Sequence, residues 1–155
     1  MRLSDFIVRE AVVTSLSANT KEGVIREMVN SLLNSGRIQP CDVDEIVRAI
    51  LKREMLGSTA ISRGVAIPHA KHGSIKRLIG TIGVHASGVG FDSKDGSPVH
   101  VIVMIVSPED RPGDHLRALD SVSRALRNEP FVGKIRGAGT LENMNQLIDS
   151  PESLG

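Results

Sequence analysis

The sequence contains no tyrosine and no tryptophan, and only three phenylalanines in 155 residues. Proteins that read unpaired bases commonly stack them on aromatic side chains. That scarcity, with a formal net charge of only +1, argues against a nucleic-acid partner. The core must instead be built from Val, Ile, Leu, Met and Ala. Cys41 is the single cysteine, which excludes an intramolecular disulfide and a cysteine-based metal cluster and fits a reducing compartment. No apolar run approaches the roughly 20 residues that a membrane-spanning helix requires. The opening Met1-Arg2-Leu3-Ser4-Asp5-Phe6 lacks the apolar stretch of a secretory signal. A cytoplasmic location without membrane insertion is expected. Gly88-x-Gly90 lacks the strand-turn-helix setting of a nucleotide fingerprint, and there is no Gly-Lys-Ser/Thr loop.

Helical and strand patterns interleave along the chain. Val24, Ile25, Met28, Val29, Leu32 and Leu33 recur on one helical face. Asn19 is the expected cap with Glu22 three residues on, and Gly36 the stop. A second helix runs from Pro40-Cys41-Asp42 to about Arg53, with Val43, Ile46, Val47 and Ile50 as its stripe and Cys41 as a small packing residue. Ala11 to Thr14, Val65 to Ile67, Ile79 to Val84 and Val99 to Val106 read as extended. The last of these is apolar on both alternating faces, as in a central strand covered by helices on each side. Gly88 to Phe91 and Asp95 to Pro98 read as turns. A third helix is expected over Asp114 to Arg127, its inner side formed by Leu116, Leu119, Val122, Ser123 and Leu126. A short helix follows over Phe131 to Arg136, then one capped by Thr140. The fold class is α/β: a single domain over residues 3–149, its sheet flanked by helices on both faces, with 150–155 as a C-terminal tail.

Pro68 is expected to stop the Val65–Ile67 strand, because proline gives no N–H to a ladder. That places His69 at the strand's end, on the first turn of the connection that follows. A rigid element would then present a neutral imidazole, which is a nucleophile; the plainer alternative is a surface histidine capping a loop. His115 falls in the first turn of the third helix, where free N–H groups and the dipole favour anions. Arg53 ends the second helix; its planar fork suits a phosphoryl group, although a cation at a helix C-terminus is also simply favourable. Thr59 supplies a hydroxyl nearby. His69 and His72 form a His-x-x-His pair without a clear third metal ligand, so no metal is expected. His72, Lys71, Lys76 and Arg77 read instead as a modest basic rim. His85 and His100, near strand ends, read as structural.

Arg53-Glu54-x-x-Gly57-Ser58-Thr59-Ala60-Ile61 followed by Gly64-Val65-Ala66-Ile67-Pro68-His69 resembles the signature of the enzyme IIA domains of the bacterial sugar phosphotransferase system. The class is the fructose/mannitol one, which includes the nitrogen-regulatory IIA proteins. Asp95-Gly96-x-Pro98 before an apolar strand, and His115-Leu116 opening a helix, are similar to the same pattern. The resemblance implies a mixed sheet flanked by helices. It implies that His69 accepts a phosphoryl group from the histidine-phosphorylated carrier HPr or its nitrogen-branch counterpart. His115 and Arg53 match family residues that stabilise that group, with Thr59 and Pro68 in support. No cofactor or metal is implied. The partner downstream would be the cysteine of an enzyme IIB domain in sugar uptake, or regulatory target proteins. A free-standing IIA is the arrangement expected of the nitrogen-regulatory branch, though separate sugar-type IIA proteins also occur, and the reading leans to regulation.

Overall fold

The computed structural model describes residues 1–61 and 63–150; the turn expected at Ser62 and the tail at 151–155 lie outside the described residues. The sheet is built on one strand. β1 spans Ala60–Ile61, β2 Val65–Ala66, β3 His69–Lys71, β4 Ile79–Val89 and β5 Val99–Ser107. β5 pairs antiparallel with β4 on one side, and on the other it runs parallel to both β2 and β3. β1 adds to β2 antiparallel. The sheet is therefore mixed, as the resemblance implied.

Five α-helices cover it: α1 Lys21–Asn34, α2 Val43–Met55, α3 Pro112–Arg127, α4 Glu129–Arg136 and α5 Leu141–Ile148. Side chains of β5 alternate between two cores. Ile102, Met104 and Val106 join Met28, Ile46 and Ile50 beneath α1 and α2. Val101, Val103 and Ile105 join Val122, Phe131 and Met144 beneath α3, α4 and α5. Leu, Ile, Val, Met and Ala supply most of both layers, and the three phenylalanines are buried in them too, Phe91 in the first and Phe6 and Phe131 in the second. The N-terminal segment runs along the free edge of β4. Val8 N–H donates to Gly80 O (2.8 Å), Gly80 N–H to Phe6 O (3.0 Å) and Val13 N–H to Ile82 O (2.9 Å). Gly80 permits that approach, since a Cβ there would lie 3.1 Å from Cδ2 of Phe6 and 3.3 Å from Cδ1 of Ile7. No helix among the described residues is long and apolar enough to cross a membrane.

Several expectations are corrected. Thr20, not Asn19, caps α1; its hydroxyl accepts from Gly23 N–H at 3.0 Å. Ala11 ends a short 3-10 turn, and only Val13 of the Ala11–Thr14 segment bridges the sheet. Gly88 and Val89 continue β4 past an irregularity, where Val89 pairs with Val99. Val99 accordingly falls in the α1–α2 core rather than with Val101. α3 starts earlier, at Pro112, and buries His115, Ala118, Val122 and Ala125. Leu116 points outward and is 66 % exposed. Cys41 is exposed, not packed.

Candidate functional site

Pro68 does not end the strand's path. Val65 pairs with Val101, and His69 pairs with Ile105 in the same register. Proline removes one ladder donor, but the Pro68 carbonyl still accepts from Ile105 N–H at 3.1 Å. His69 therefore opens β3 instead of lying in a connection, which corrects the sequence expectation. Backbone groups alternate sides along a strand. Because Pro68 faces β5, the Ile67 carbonyl faces away from it, beyond the short reach of β1. That outward oxygen accepts the Nδ1–H of His69 at 2.7 Å. A carbonyl can only accept, so the neutral ring must carry its proton on Nδ1 and its lone pair on Nε2.

β3 has no second strand beside it among the described residues. The helices of the two faces meet at this open edge and leave a pocket of about 500 Å³ lined by Arg53, Leu56, His69, Lys71, His115 and Leu119, among others. His69 shares the register position of Ile105, and Lys71 that of Ser107, so all four side chains face α3. There Ser107 Oγ lies 2.6 Å from Nδ1 of His115. The two imidazole rings stand 5.4 Å apart between centroids, tilted by 56°.

Both histidines are held neutral. Burial lowers the pKa of His69 below its ordinary value, and the Arg53 charge acts the same way, against the Ile67 hydrogen bond and the Glu54 carboxylate. His115 is only 6 % exposed. Burial, then the repulsion that a second protonated ring beside His69 would meet and the Lys71 charge, bring its pKa down to about 4.

Arg53 is fixed from behind. Its Nη1 donates to Gly57 O at 3.0 Å. The neighbouring Glu54 points inward, where it accepts from Lys21 Nζ (2.8 Å), Thr59 N–H (3.2 Å) and the Thr59 hydroxyl. Thr59 thus supports the loop after α2 through Glu54, and its hydroxyl does not reach the pocket. The structure brings His69, His115 and Arg53 to one cavity, with Thr59 and Pro68 holding the loop and strand behind it. The expected basic rim is divided: Lys71 lines the pocket with Lys52, whereas Lys76 and Arg77 line separate clefts.

Sequence reasoning did not identify Ser107 or the Lys21–Glu54 pair. Ser107 was within reach of the alternation Val103, Ile105, Ser107, which puts its hydroxyl on the α3 face. Nothing local marks Lys21 as Glu54's partner.

His72 turns from His69 toward Glu45. Asp42, Glu45 and His72 bring potential ligand atoms within 4.8 Å of one another. However, Nδ1 of His72 accepts from Ser74 N–H at 3.2 Å, so Nε2 carries the proton that meets Glu45 Oε2 at 3.0 Å. That is a hydrogen bond, with no lone pair directed at a cation. His85 and His100 donate to the carbonyls of Ala18 (2.8 Å) and His85 (3.0 Å), which accounts for both structurally.

A mixed sheet covered on both faces, with a neutral histidine on its open edge beside a second histidine and an arginine, is the arrangement that the resemblance to the IIA class of phosphotransferase proteins led one to expect. The chain belongs to that family: the family model described as "Phosphoenolpyruvate-dependent sugar phosphotransferase system, EIIA 2" matches residues 5–150. It is 28 % identical over 151 residues to a "Nitrogen regulatory protein" of Bradyrhizobium diazoefficiens, covering 97 % of each. It is 35 % identical over 149 residues to the "PTS system fructose-specific EIIABC component" of Bacillus subtilis, covering 96 % of this chain and 23 % of that protein. Its fold matches the crystal structure of the nitrogen regulatory protein IIA-Ntr from Neisseria meningitidis with a TM-score of 0.83 at 25 % identity, over 94 % of this chain and 98 % of that one.

Proposed function

We propose that the protein is a phosphohistidine carrier of the nitrogen-regulatory IIA type, taking its phosphoryl group on Nε2 of His69 from an HPr-type protein in the cytoplasm. The observation that carries this reading is the pinned Nδ1–H of His69, which leaves Nε2 as the nucleophilic atom in a pocket shared with His115 and Arg53. In the reaction the Nε2 lone pair forms the new P–N bond while the donor's P–N bond breaks and its electron pair returns to the donor imidazole. The proton stays on Nδ1, donated to the Ile67 carbonyl, which stabilises the positive character of the phosphorylated ring. Such transfer depends on in-line positioning and on donors for the equatorial oxygens more than on covalent help. Arg53 and His115 supply those donors. The donor must itself be a protein that can cover the site. Leu56 lines the pocket, and Met55 and Leu116 adjoin the lining residues Leu56 and His115 in sequence; 83 %, 86 % and 66 % exposed respectively, they offer apolar surface suited to such a partner.

The test is to incubate the purified protein with phosphorylated HPr-type carriers and look for acid-labile, base-stable phosphate. Wild type should be labelled and His69→Ala should not; an unlabelled wild type, or equal label on the variant, would overturn the reading. The fructose-specific relative favours a second reading, in which the group moves on to an enzyme IIB cysteine during sugar uptake. Rapid loss of label to a candidate IIB protein would select it.

A further inference from the structure

We infer that Ser107 is a positioning residue that fixes His115 as its Nε2–H tautomer, so that His115 enters the pocket as a hydrogen-bond donor. The inference rests on the phosphocarrier reading for its consequence, but the tautomer can be measured without it.

The argument is an accounting of protons. Ser107 is fully buried, and Nδ1 of His115 is the one partner found for its hydroxyl among the described residues. Two arrangements share that 2.6 Å contact. If the imidazole Nδ1–H donated to Ser107 Oγ, the serine's own proton would be buried with no acceptor. Leaving a buried donor unsatisfied is costly. If the serine donates to Nδ1 instead, its proton is satisfied. The imidazole proton must then sit on Nε2.

His69 is locked in the opposite tautomer. Its Nδ1–H is consumed by the Ile67 carbonyl, leaving the Nε2 lone pair. The two rings, 5.4 Å apart, are thereby assigned complementary chemistry: one offers a nucleophilic nitrogen, the other an N–H for the anionic phosphoryl oxygens. With His115 in the other tautomer, a second lone pair would face those oxygens and repel them. The low proton affinity of His115 makes the device necessary. The ring remains neutral at working pH and can donate from Nε2 only if that nitrogen holds its single proton.

The sheet explains why Ser107 can do this. It pairs with Lys71 at the end of β5, two residues beyond Ile105 on the face that meets α3. A backbone ladder, and not a loop, sets its hydroxyl against the first turn of that helix.

The experiment uses protein labelled with nitrogen-15 at histidine, read by two-bond proton–nitrogen correlation spectra near neutral pH, together with the rate of label uptake from a phosphorylated HPr-type carrier. Wild-type His115 should show an unprotonated Nδ1 and a protonated Nε2. Ser107→Ala should lose that pattern and accept phosphate about tenfold more slowly, the effect of one misdirected donor to a charged acceptor. Ser107→Cys, with a weaker donor of similar size, should fall between the two. A structural defect alone would slow transfer without changing the nitrogen pattern. A protonated Nδ1 in the wild type would overturn the inference, as would wild-type rate and spectra in a folded Ser107→Ala. A wild type that shows the Nε2–H pattern yet takes no label from any carrier would support the tautomer assignment and overturn the phosphocarrier reading.

Discussion

Lowering the pH should destabilise this protein in a way that can be traced to His115. The native ring has a pKa of about 4, whereas a histidine in the unfolded chain titrates near 6.5. Between those values the unfolded state binds a proton that the native state does not. The linkage sign is therefore fixed: the His115 contribution is fully present above pH 6.5, falls as pH drops below it, and is exhausted near pH 4. Each unit of pH in that window costs about 1.4 kcal/mol. From pH 7.5 to pH 5.0 the loss from this residue amounts to about 2 kcal/mol. With His115 only 6 % exposed, solvent screening relieves little of it. The assay is urea unfolding of wild type and His115→Gln at pH 7.5, 6.5 and 5.0. Gln cannot titrate, so the variant should lose about 2 kcal/mol less over that range. His69, whose pKa is shifted in the same direction, contributes in both proteins and cancels from the difference. Parallel pH dependences in the two proteins would refute the reasoning.

Arg53→Lys keeps the charge but loses the fork that can hold Gly57 O and a phosphoryl oxygen together; transfer to His69 should slow by about 10- to 100-fold at unchanged melting temperature, and an unchanged rate would remove Arg53 from the site. Lys21→Met leaves the buried Glu54 carboxylate without its ammonium partner and should cost about 3 kcal/mol in urea unfolding; a variant as stable as the wild type would show that the pair contributes nothing. Leu56→Ser and Leu116→Ser alter exposed side chains, so stability should hold within about 0.5 kcal/mol while the KM for the phosphorylated donor rises. An unchanged KM would move the docking surface elsewhere.

The layers of the fold were legible because they are written in periodicity. The stripe Val43, Ile46, Val47 and Ile50 is buried as read, and Val101 to Val106 fills both cores. Phase was harder where small residues carry it. In α3 the buried face runs through His115, Ala118, Val122 and Ala125, whereas the larger Leu116, expected inside, is exposed. An exposed leucine and a leucine of the core look the same in one sequence. Strand order was illegible for another reason. β2 and β3 reach β5 by long-range pairing, and no local signal encodes which pairs form.

His69, His115 and Arg53, the residues singled out in the sequence, share one pocket, but the arrangement of their protons was not legible. Pro68 shows why. As a residue type it signals the end of a strand, and the sequence reading placed His69 in the following turn. In the structure the ladder resumes immediately, because the Pro68 carbonyl still accepts from Ile105. The missing N–H costs one bond on the side facing β5, while the next peptide oxygen out, that of Ile67, is left on the open edge to receive the His69 Nδ1–H. On the other side of the pocket, β5 runs to Ser107 before Pro108 and delivers a hydroxyl to His115. Each histidine is thus oriented by a backbone-fixed group from a strand: one that can only accept, and one whose sole satisfied role is to donate. Those two partners assign opposite tautomers to the same side chain 5.4 Å apart. The chemistry of the pocket follows from that opposition more than from the presence of two histidines.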